Sequence, residues 1–267
     1  MAHLNAQLET VSGSVIRIDF SHCTWIDANM AAPLGGIFDR ARSRGNSIRF
    51  LNISSNIKIA LARNGFVHPI LADVNGTTIP YKQFTIDMAK EFAGYTDTHL
   101  MGKGMPKMSP GLRNRFLLAL DELFQNAAMH SKTIFGIFCC GQFFPKKQKL
   151  IFVFVDMGIG FKQNILERAE VDLPADDAIE WALTGDNTTR KLDIPGGMGL
   201  KLLREFIELN GGKLTIASHR GYCDLDSSGI SKHILPSAYP GTAISLLINT
   251  ADRNSYYLAE EQADDLF

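Results

Sequence analysis

Apolar and polar positions between residues 116 and 130 follow the period of an α-helix. The apolar positions are Phe116, Leu120, Leu123, Phe124 and Ala127. Glu122, Asn126 and His130 recur every four residues and form a polar row along another flank. This pattern predicts a core helix whose polar row faces a cavity. A surface helix with a few polar side chains fits the same pattern, so the spacing alone leaves both interpretations open.

Three glycine-bearing turns interrupt the apolar runs that follow. The run from Ile151 to Val155 predicts a buried strand, and it ends in Asp156, Gly158 and Gly160. The segment 196–199 opens a second helical pattern, and Gly241 with Thr242 begins another apolar run. Glycines let the backbone approach a ligand, and free N–H groups at a helix start attract phosphate. A carboxylate at a strand end can accept a hydrogen bond from a ligand amino group.

Strands and helices alternate in the first part of the chain. The pattern predicts strands at 14–20 and 48–53 and helices at 29–44 and 55–64, which together form a small α/β layer. The turn-rich segment 71–83 is expected to be a linker, and a helix is expected at 83–92. Residues 134–140 and 150–155 predict a hairpin, and 213–218 a further strand. The acidic residues 251–267 predict a loose tail or a partner-binding extension.

Composition narrows the class of protein. The chain has 267 residues, of which 45% are apolar, and a net charge of −1. A chain of this length can bury one large core or two modest ones. Its near-zero net charge gives no electrostatic reason to expect binding to nucleic acid or to a membrane. The four cysteines lack zinc-ligand spacing, so they are expected to be reduced and structural. The N-terminus does not resemble a signal peptide, and no apolar run could span a bilayer, which predicts a cytoplasmic protein.

The four motifs, taken in order, resemble those of a known ATPase superfamily. E-x-x-x-N-A-x-x-H at 122–130, D-x-G-x-G at 156–160, G-x-G-L at 197–200 and G-T at 241–242 are similar to the N, G1, G2 and G3 boxes of the GHKL ATPases. That superfamily includes gyrase, Hsp90, histidine kinases and MutL. The N box is most similar to that of bacterial anti-sigma-factor serine kinases. The resemblance covers roughly residues 84–250, and it implies ATP and Mg²⁺ as cofactors.

Roles for individual residues come from this resemblance. Glu122 would be the general base, Asn126 would ligate Mg²⁺, and His130 would support the phosphate side of the pocket. Asp156 would hold the amino group of adenine, with Thr242 supporting it. His130 could equally be a packed histidine at the end of the helix.

The resemblance also implies nucleotide contacts from the Gly-rich boxes and the segment between them. Gly158, Gly160, Gly197 and Gly199 would bring the backbone to the nucleotide, and Leu200 completes the same box. The interval before Gly196 would be a mobile ATP lid, in which Arg190 and Lys191 offset the phosphate charge. The same two residues are equally compatible with a solvated loop that carries two ordinary surface cations.

The N-terminal part resembles a STAS domain, the fold of anti-sigma-factor antagonists. The resemblance covers about residues 10–70 and rests on 26–30, 41–45 and 57–66. The antagonists carry a phosphorylatable serine where this chain has Asn29, which cannot accept a phosphoryl group. The segment would therefore serve docking or self-regulation, or only packing. Together the resemblances imply an α/β protein: a small STAS-like domain at 1–75, a GHKL (Bergerat) sandwich with a mixed sheet and ATP lid at 76–250, and a tail at 251–267.

Two functions of different classes follow. The first is an Mg²⁺-ATP-binding regulatory protein, either an ATPase or a serine/threonine protein kinase of the anti-sigma-regulator type. The second is a non-catalytic ATP-dependent switch whose STAS-like module binds a protein partner. Both functions imply a protein partner. The sequence leaves open whether the protein forms a homodimer, since it has no coiled-coil heptads that would require one.

Overall fold

The computed structural model describes residues 1–184 and 198–264 of the chain. The elements in chain order are α1 (Ala2–Glu9), β1 (Val15–Asp19), a 3₁₀ turn (Ala28–Met30), α2 (Ala31–Arg42), β2 (Ser47–Leu51), α3 (Ser55–Arg63), β3 (Thr78–Phe84), α4 (Ala89–His99), β4 (Lys107–Met108), α5 (Pro110–His130), β5 (Ile137–Phe144), a 3₁₀ turn (Pro145–Lys147), β6 (Lys149–Asp156), α6 (Gly160–Ala169), α7 (Ala175–Leu183), α8 (Met198–Asn210), β7 (Lys213–Asp226), β8 (Gly229–Asn249), β9 (Ser255–Tyr256) and α9 (Ala259–Asp264). The expected α/β class is confirmed.

A five-stranded sheet with the order β3-β5-β6-β8-β7 forms the centre of the molecule. Each neighbouring pair in it is antiparallel. The expectation of a mixed sheet is therefore wrong for these strands. Short turns join β5 to β6 and β7 to β8, and strands joined in this way must run antiparallel. Parallel pairs occur outside this sheet, between β1 and β2 and between β4 and β9.

The central strand β6 is buried on both faces, as its continuous apolar run predicts. Phe152 and Phe154 point into a core with α4, α5, α7 and α8. Ile151, Val153 and Val155 point into a second core with α1 and α2. Side chains alternate across a strand, so an unbroken apolar run requires apolar partners on both faces of the sheet. We call these two sides the α5 face and the α2 face.

Helix α2 lies between the large sheet and the small β1–β2 pair. Each residue from Ala31 to Phe38 is buried. On one side the helix packs with β5 and β6, and on the other with the inward residues of β1 and β2. A Cβ on Gly35 would lie 2.3 Å from the Tyr81 hydroxyl oxygen, and one on Gly36 would lie 2.5 Å from the Met157 sulfur. The two glycines therefore allow this helix to approach the sheet closely, and the N-terminal part shares a core with the rest of the chain.

Two segments differ from their expected structures. Residues 78–83, expected in a linker, belong to β3, an edge strand paired with β5. Pro80 lies where the register shifts between Ile79 and Lys82, and an edge strand accommodates proline there. The helix expected at 83–92 begins only at Ala89 and ends at His99.

The expected loose tail is also wrong for the described residues 251–264. Strand β9 pairs with β4, and the ring of Tyr256 packs 5.6 Å from that of Phe206. The Glu261 carboxylate accepts hydrogen bonds from the Ser109 hydroxyl and from the Gly111 N–H at 3.1 Å. These donors lie at the start of α5, so the C-terminal segment caps the helix that carries Glu122, Asn126 and His130.

Candidate functional site

Helix α5 positions the polar row identified in the sequence. Ser109 caps it, since its hydroxyl accepts a hydrogen bond from the Leu112 N–H at 3.1 Å, and Pro110 follows at the first helical position. The apolar stripe of the helix is buried in the core on the α5 face, where the Phe124 ring lies 4.8 Å from that of Phe92 on α4. This packing fixes the rotation of the helix, so Asn126 and His130 face the same cavity.

Asp156 lies at the end of β6 and is 5% exposed. It is paired across the sheet with Thr242 of β8, and its carboxylate accepts hydrogen bonds from the Gly158 N–H at 2.8 Å and from Thr242. Burial raises the pKa of Asp156 to about 7, because desolvation of the charged form outweighs these hydrogen bonds. The side chain is therefore a buried acceptor that titrates near neutrality.

The two glycines after Asp156 are required by contacts within the protein. A Cβ on Gly158 would lie 2.0 Å from the backbone oxygen of Ser131. Gly160 has a φ of +73°, and its Cβ would lie 2.7 Å from the Ser218 hydroxyl oxygen. The turn therefore packs directly against the end of α5 and against β7. This close fit brings Asp156 next to the helix that bears Asn126 and His130.

A single cavity joins these elements, with an empty volume of about 840 Å³ that includes its open mouth. The polar lining residues are Asn126, His130, Ser131, Asp156, Asn164 and Thr242. The other lining residues are Leu123, Ala127, Phe154, Gly160, Phe161, Ile165, Trp181, Ala182, Leu200 and Ile244. Of the residues singled out in the sequence, Asn126, His130, Asp156, Gly160, Leu200 and Thr242 thus surround one space.

Glu122 and Gly199 meet beside this cavity. The Glu122 Oε2 accepts a hydrogen bond from the Gly199 N–H at 2.8 Å, at the beginning of α8. A Cβ on Gly199 would lie 2.9 Å from the backbone oxygen of Ala119. The glycine is therefore needed because α8 starts against the side of α5. This contact links the polar row of α5 to the Gly-rich segment at the start of α8 through a carboxylate and a backbone N–H.

His130 joins α5 to α6. Its Nδ1 accepts a hydrogen bond from the Arg168 guanidinium, and its backbone oxygen accepts one from the Asn164 side chain at 2.8 Å. Guanidinium can only donate, so the ring nitrogen is the acceptor. These bonds hold α6 against the end of α5 and bring a positive charge next to the cavity wall.

Part of the predicted site lies outside the described residues. Arg190, Lys191 and Gly197 are among these residues, as is the end of the predicted lid interval from 185 onward, whereas the earlier part of that interval contains α6 and α7. Their assignments stay predictions from the sequence.

The sequence patterns missed several lining residues, above all Trp181 on α7 and Asn164 on α6. Trp181 lies in an amphipathic segment, and its neighbours Ile179 and Leu183 are fully buried. One signal was present: a large aromatic residue flanked by core positions, on a helix that precedes a Gly-rich box. Its place on the cavity depends on how α7 packs, which the local pattern does not contain.

Comparison of the sequence with protein-family models and with curated proteins found no match. Within the described part of the chain, no helix is both long and apolar enough to cross a membrane.

Proposed function

We propose that this chain is an Mg²⁺-ATP-binding regulatory protein of the GHKL superfamily, with a STAS-like N-terminal domain. The observation that carries the proposal is the buried Asp156 carboxylate in a cavity that also contains Asn126, His130 and Thr242. These residues come from the N, G1 and G3 motifs, which are far apart in sequence. A nucleotide needs one polar end for its base and another for its phosphates, and the cavity offers both kinds of group.

Asp156 is the residue for the base. Its ionised carboxylate accepts a hydrogen bond from the exocyclic amino group of adenine. Guanine presents a carbonyl at the same ring position, which would face an acceptor without a hydrogen between them. Thr242 holds the carboxylate in place, and its own hydroxyl lies 3.1 Å from that of Ser218. The site therefore favours ATP over GTP.

Asn126 is the residue for the metal. Its side-chain oxygen is a hard, neutral donor, and Mg²⁺ is commonly held by few protein ligands together with phosphate oxygens and waters. The bound ion neutralises phosphate charge. His130 and the Arg168 guanidinium bonded to it supply donors and positive charge on the same side.

Glu122 is the proposed general base for turnover. It lies one helical turn before Asn126, so it would face the phosphate end of a nucleotide held there. A carboxylate at this position can orient either water, which makes the protein an ATPase, or a protein hydroxyl, which makes it a serine/threonine kinase.

A specific contact favours the second candidate, a non-catalytic switch. The backbone oxygen of Asn29 accepts a hydrogen bond from the Cys140 thiol at 3.1 Å, so the STAS-like segment lies directly on β5 of the nucleotide-binding sheet. Asn29 is 8% exposed, and in the described part of the chain its side-chain oxygen has no hydrogen-bond partner. Nucleotide binding on the α5 face could then change how the N-terminal part binds a protein partner or a second copy.

Isothermal calorimetry with ATP, with and without Mg²⁺, tests the proposal on the full chain. Asn126→Ala should abolish the Mg²⁺-dependent part of the affinity. The matched control is Asn75→Ala, which changes an exposed asparagine in a turn. Absence of ATP binding to the wild-type protein at millimolar concentration would overturn the proposal.

Incubation with Mg²⁺ and γ-labelled ATP then separates the two candidates. Label released as phosphate or transferred to protein, and lost in Asn126→Ala, identifies an enzyme. Label retained in intact, bound ATP identifies a switch.

A further inference from the structure

Trp181 lies on α7 between Glu180 and Ala182, and it is half-buried. Ile179 and Leu183 of the same helix are fully buried in the core on the α5 face, and Ala182 packs against that core. Trp181 is not part of this core and instead lines the cavity that contains Asp156. The largest apolar side chain of the helix thus contributes its surface to the cavity.

Helix α7 is held against the β7–β8 hairpin by ion pairs and by a close backbone contact. The Lys232 ammonium on β8 pairs with Asp177 at 2.6 Å and also with Glu180. Gly221 on β7 lies so close to the helix that a Cβ there would be 2.2 Å from the backbone oxygen of Ala175. The β7–β8 hairpin therefore contacts α7 at its first residue and along the turn that precedes Trp181. A side chain on such a support forms a cavity wall at low entropic cost.

The chemistry of the cavity suits a flat, conjugated ring. Asp156 and Thr242 offer hydrogen bonds at the end of β6, while Ile244 and Leu200 line the space with aliphatic surface. An indole has the area and the electron distribution to stack on a heteroaromatic base. Phe154, which also lines the cavity, is 3% exposed and belongs to the core. Phe161 also lines the cavity and is half-buried, but it packs against the core, whereas Trp181 offers the larger ring to the cavity.

We propose that Trp181 is a specificity residue of the nucleotide site, where its indole ring stacks on the purine base that Asp156 reads at its edge. This inference rests on the proposed nucleotide-binding function and deepens it. Asp156 then selects the base by hydrogen bonding, while Trp181 selects an aromatic base over a base-free phosphate. Replacing an aromatic side chain that stacks on a base by alanine lowers the affinity about 5- to 150-fold.

The chain allows a direct spectroscopic test because it has two tryptophans, Trp25 and Trp181. Trp25 is 66% exposed on the N-terminal part. In the full-length Trp25→Phe protein, Trp181 is the single tryptophan. Titration with Mg²⁺-ATP should quench its fluorescence with a midpoint equal to the calorimetric Kd. Tripolyphosphate, which has no base, should leave the emission spectrum unchanged.

Affinity measurements on Trp181 variants complete the test. Trp181→Ala should weaken ATP binding about 5- to 150-fold and leave tripolyphosphate binding unchanged, while Trp181→Phe should keep most of the ATP affinity. Equal losses for ATP and tripolyphosphate, or unchanged ATP affinity in Trp181→Ala, would overturn the inference but leave the nucleotide site standing. If the wild-type protein fails to bind ATP, the proposed function and this inference both fail.

Discussion

The carboxylate of Glu122 on α5 accepts a hydrogen bond from the backbone N–H of Gly199, 2.8 Å away at the beginning of α8. The same side chain is the proposed general base, so it has two separable tasks. As an acceptor it stabilises the start of α8, where a negative charge is favourable. As a base it must take a proton. Two substitutions distinguish these tasks.

Glu122→Gln keeps an oxygen for the Gly199 N–H but cannot take a proton. In an enzyme that turns over ATP, we expect phosphate release or transfer to fall about 10²- to 10⁴-fold while ATP affinity stays unchanged. Glu122→Ala should lose turnover as well as about 1 kcal/mol of stability, measured by urea unfolding, because the backbone donor loses its partner. Glu91→Gln on the exposed side of α4 is the control. Wild-type turnover in Glu122→Gln would assign the base to another residue.

Nucleotide affinity should depend on pH through Asp156. Its pKa of about 7 means that below this pH most of the protein without nucleotide carries a neutral carboxyl group. The adenine amino group needs an acceptor, so binding favours the ionised form and releases a proton. Affinity should therefore rise as the pH increases, by up to about tenfold per pH unit below 7, and level off above it. Calorimetry between pH 5.5 and 8.5 in buffers of different ionisation enthalpy measures both effects.

Asp156→Asn should flatten this pH profile, because an amide does not titrate in this range. It should also weaken ATP binding at pH 8, because the one oxygen of the amide is already needed by the two donors within the protein, the Gly158 N–H and Thr242. Asp97→Asn, which changes an exposed carboxylate on α4, should retain the wild-type profile. A pH profile unaltered by Asp156→Asn would show that another group controls the titration.

Gly158→Ala should destabilise the fold. The new methyl group would lie 2.0 Å from the backbone oxygen of Ser131, and a backbone atom cannot move away as a flexible side chain can. We expect a loss of at least about 2 kcal/mol in the free energy of unfolding, measured with urea. The matched control is Gly94→Ala on α4, where the methyl group enters open space. That variant should be neutral or up to about 1 kcal/mol more stable, because alanine favours a helix. Equal stability of the two variants would contradict the described packing of the turn.

Removal of the Glu261 side chain should lower the melting temperature. Its carboxylate caps the start of α5, and hydrogen bonds, chiefly from Ser109, hold its pKa below the ordinary value for glutamate. A lowered pKa in the folded state means that this stabilisation is present above the unfolded pKa and is lost as the pH falls. The adjacent Glu260→Ala removes an exposed ion pair with Arg115 and should change little. Identical melting curves for Glu261→Ala and Glu260→Ala at pH 7 would refute the capping role.

The sequence predicted those parts of the structure that depend on local pattern. The helical spacing around Leu120 and the unbroken run before Asp156 led to α5 and β6, because burial imposes these periods directly. Strand β3 was missed because Asn75, Gly76 and Pro80 read as turn residues, and only pairing with β5 makes the segment a strand. Trp181 was missed for a similar reason, since its place on the cavity depends on the distant β7–β8 hairpin. The expectation of a mixed sheet came from the family resemblance and not from the pattern of residues.

Helix α2 has apolar neighbours on both sides, and this arrangement governs how the chain can be divided. A truncated protein beginning at residue 76 would leave Phe138, Ile151 and Val153 uncovered on the α2 face. Such a surface promotes aggregation. Residues 1–75 alone would in turn expose the buried length of α2. The contributions of the two parts to function should therefore be measured with point substitutions in the intact chain. Isolated halves would aggregate through the exposed core.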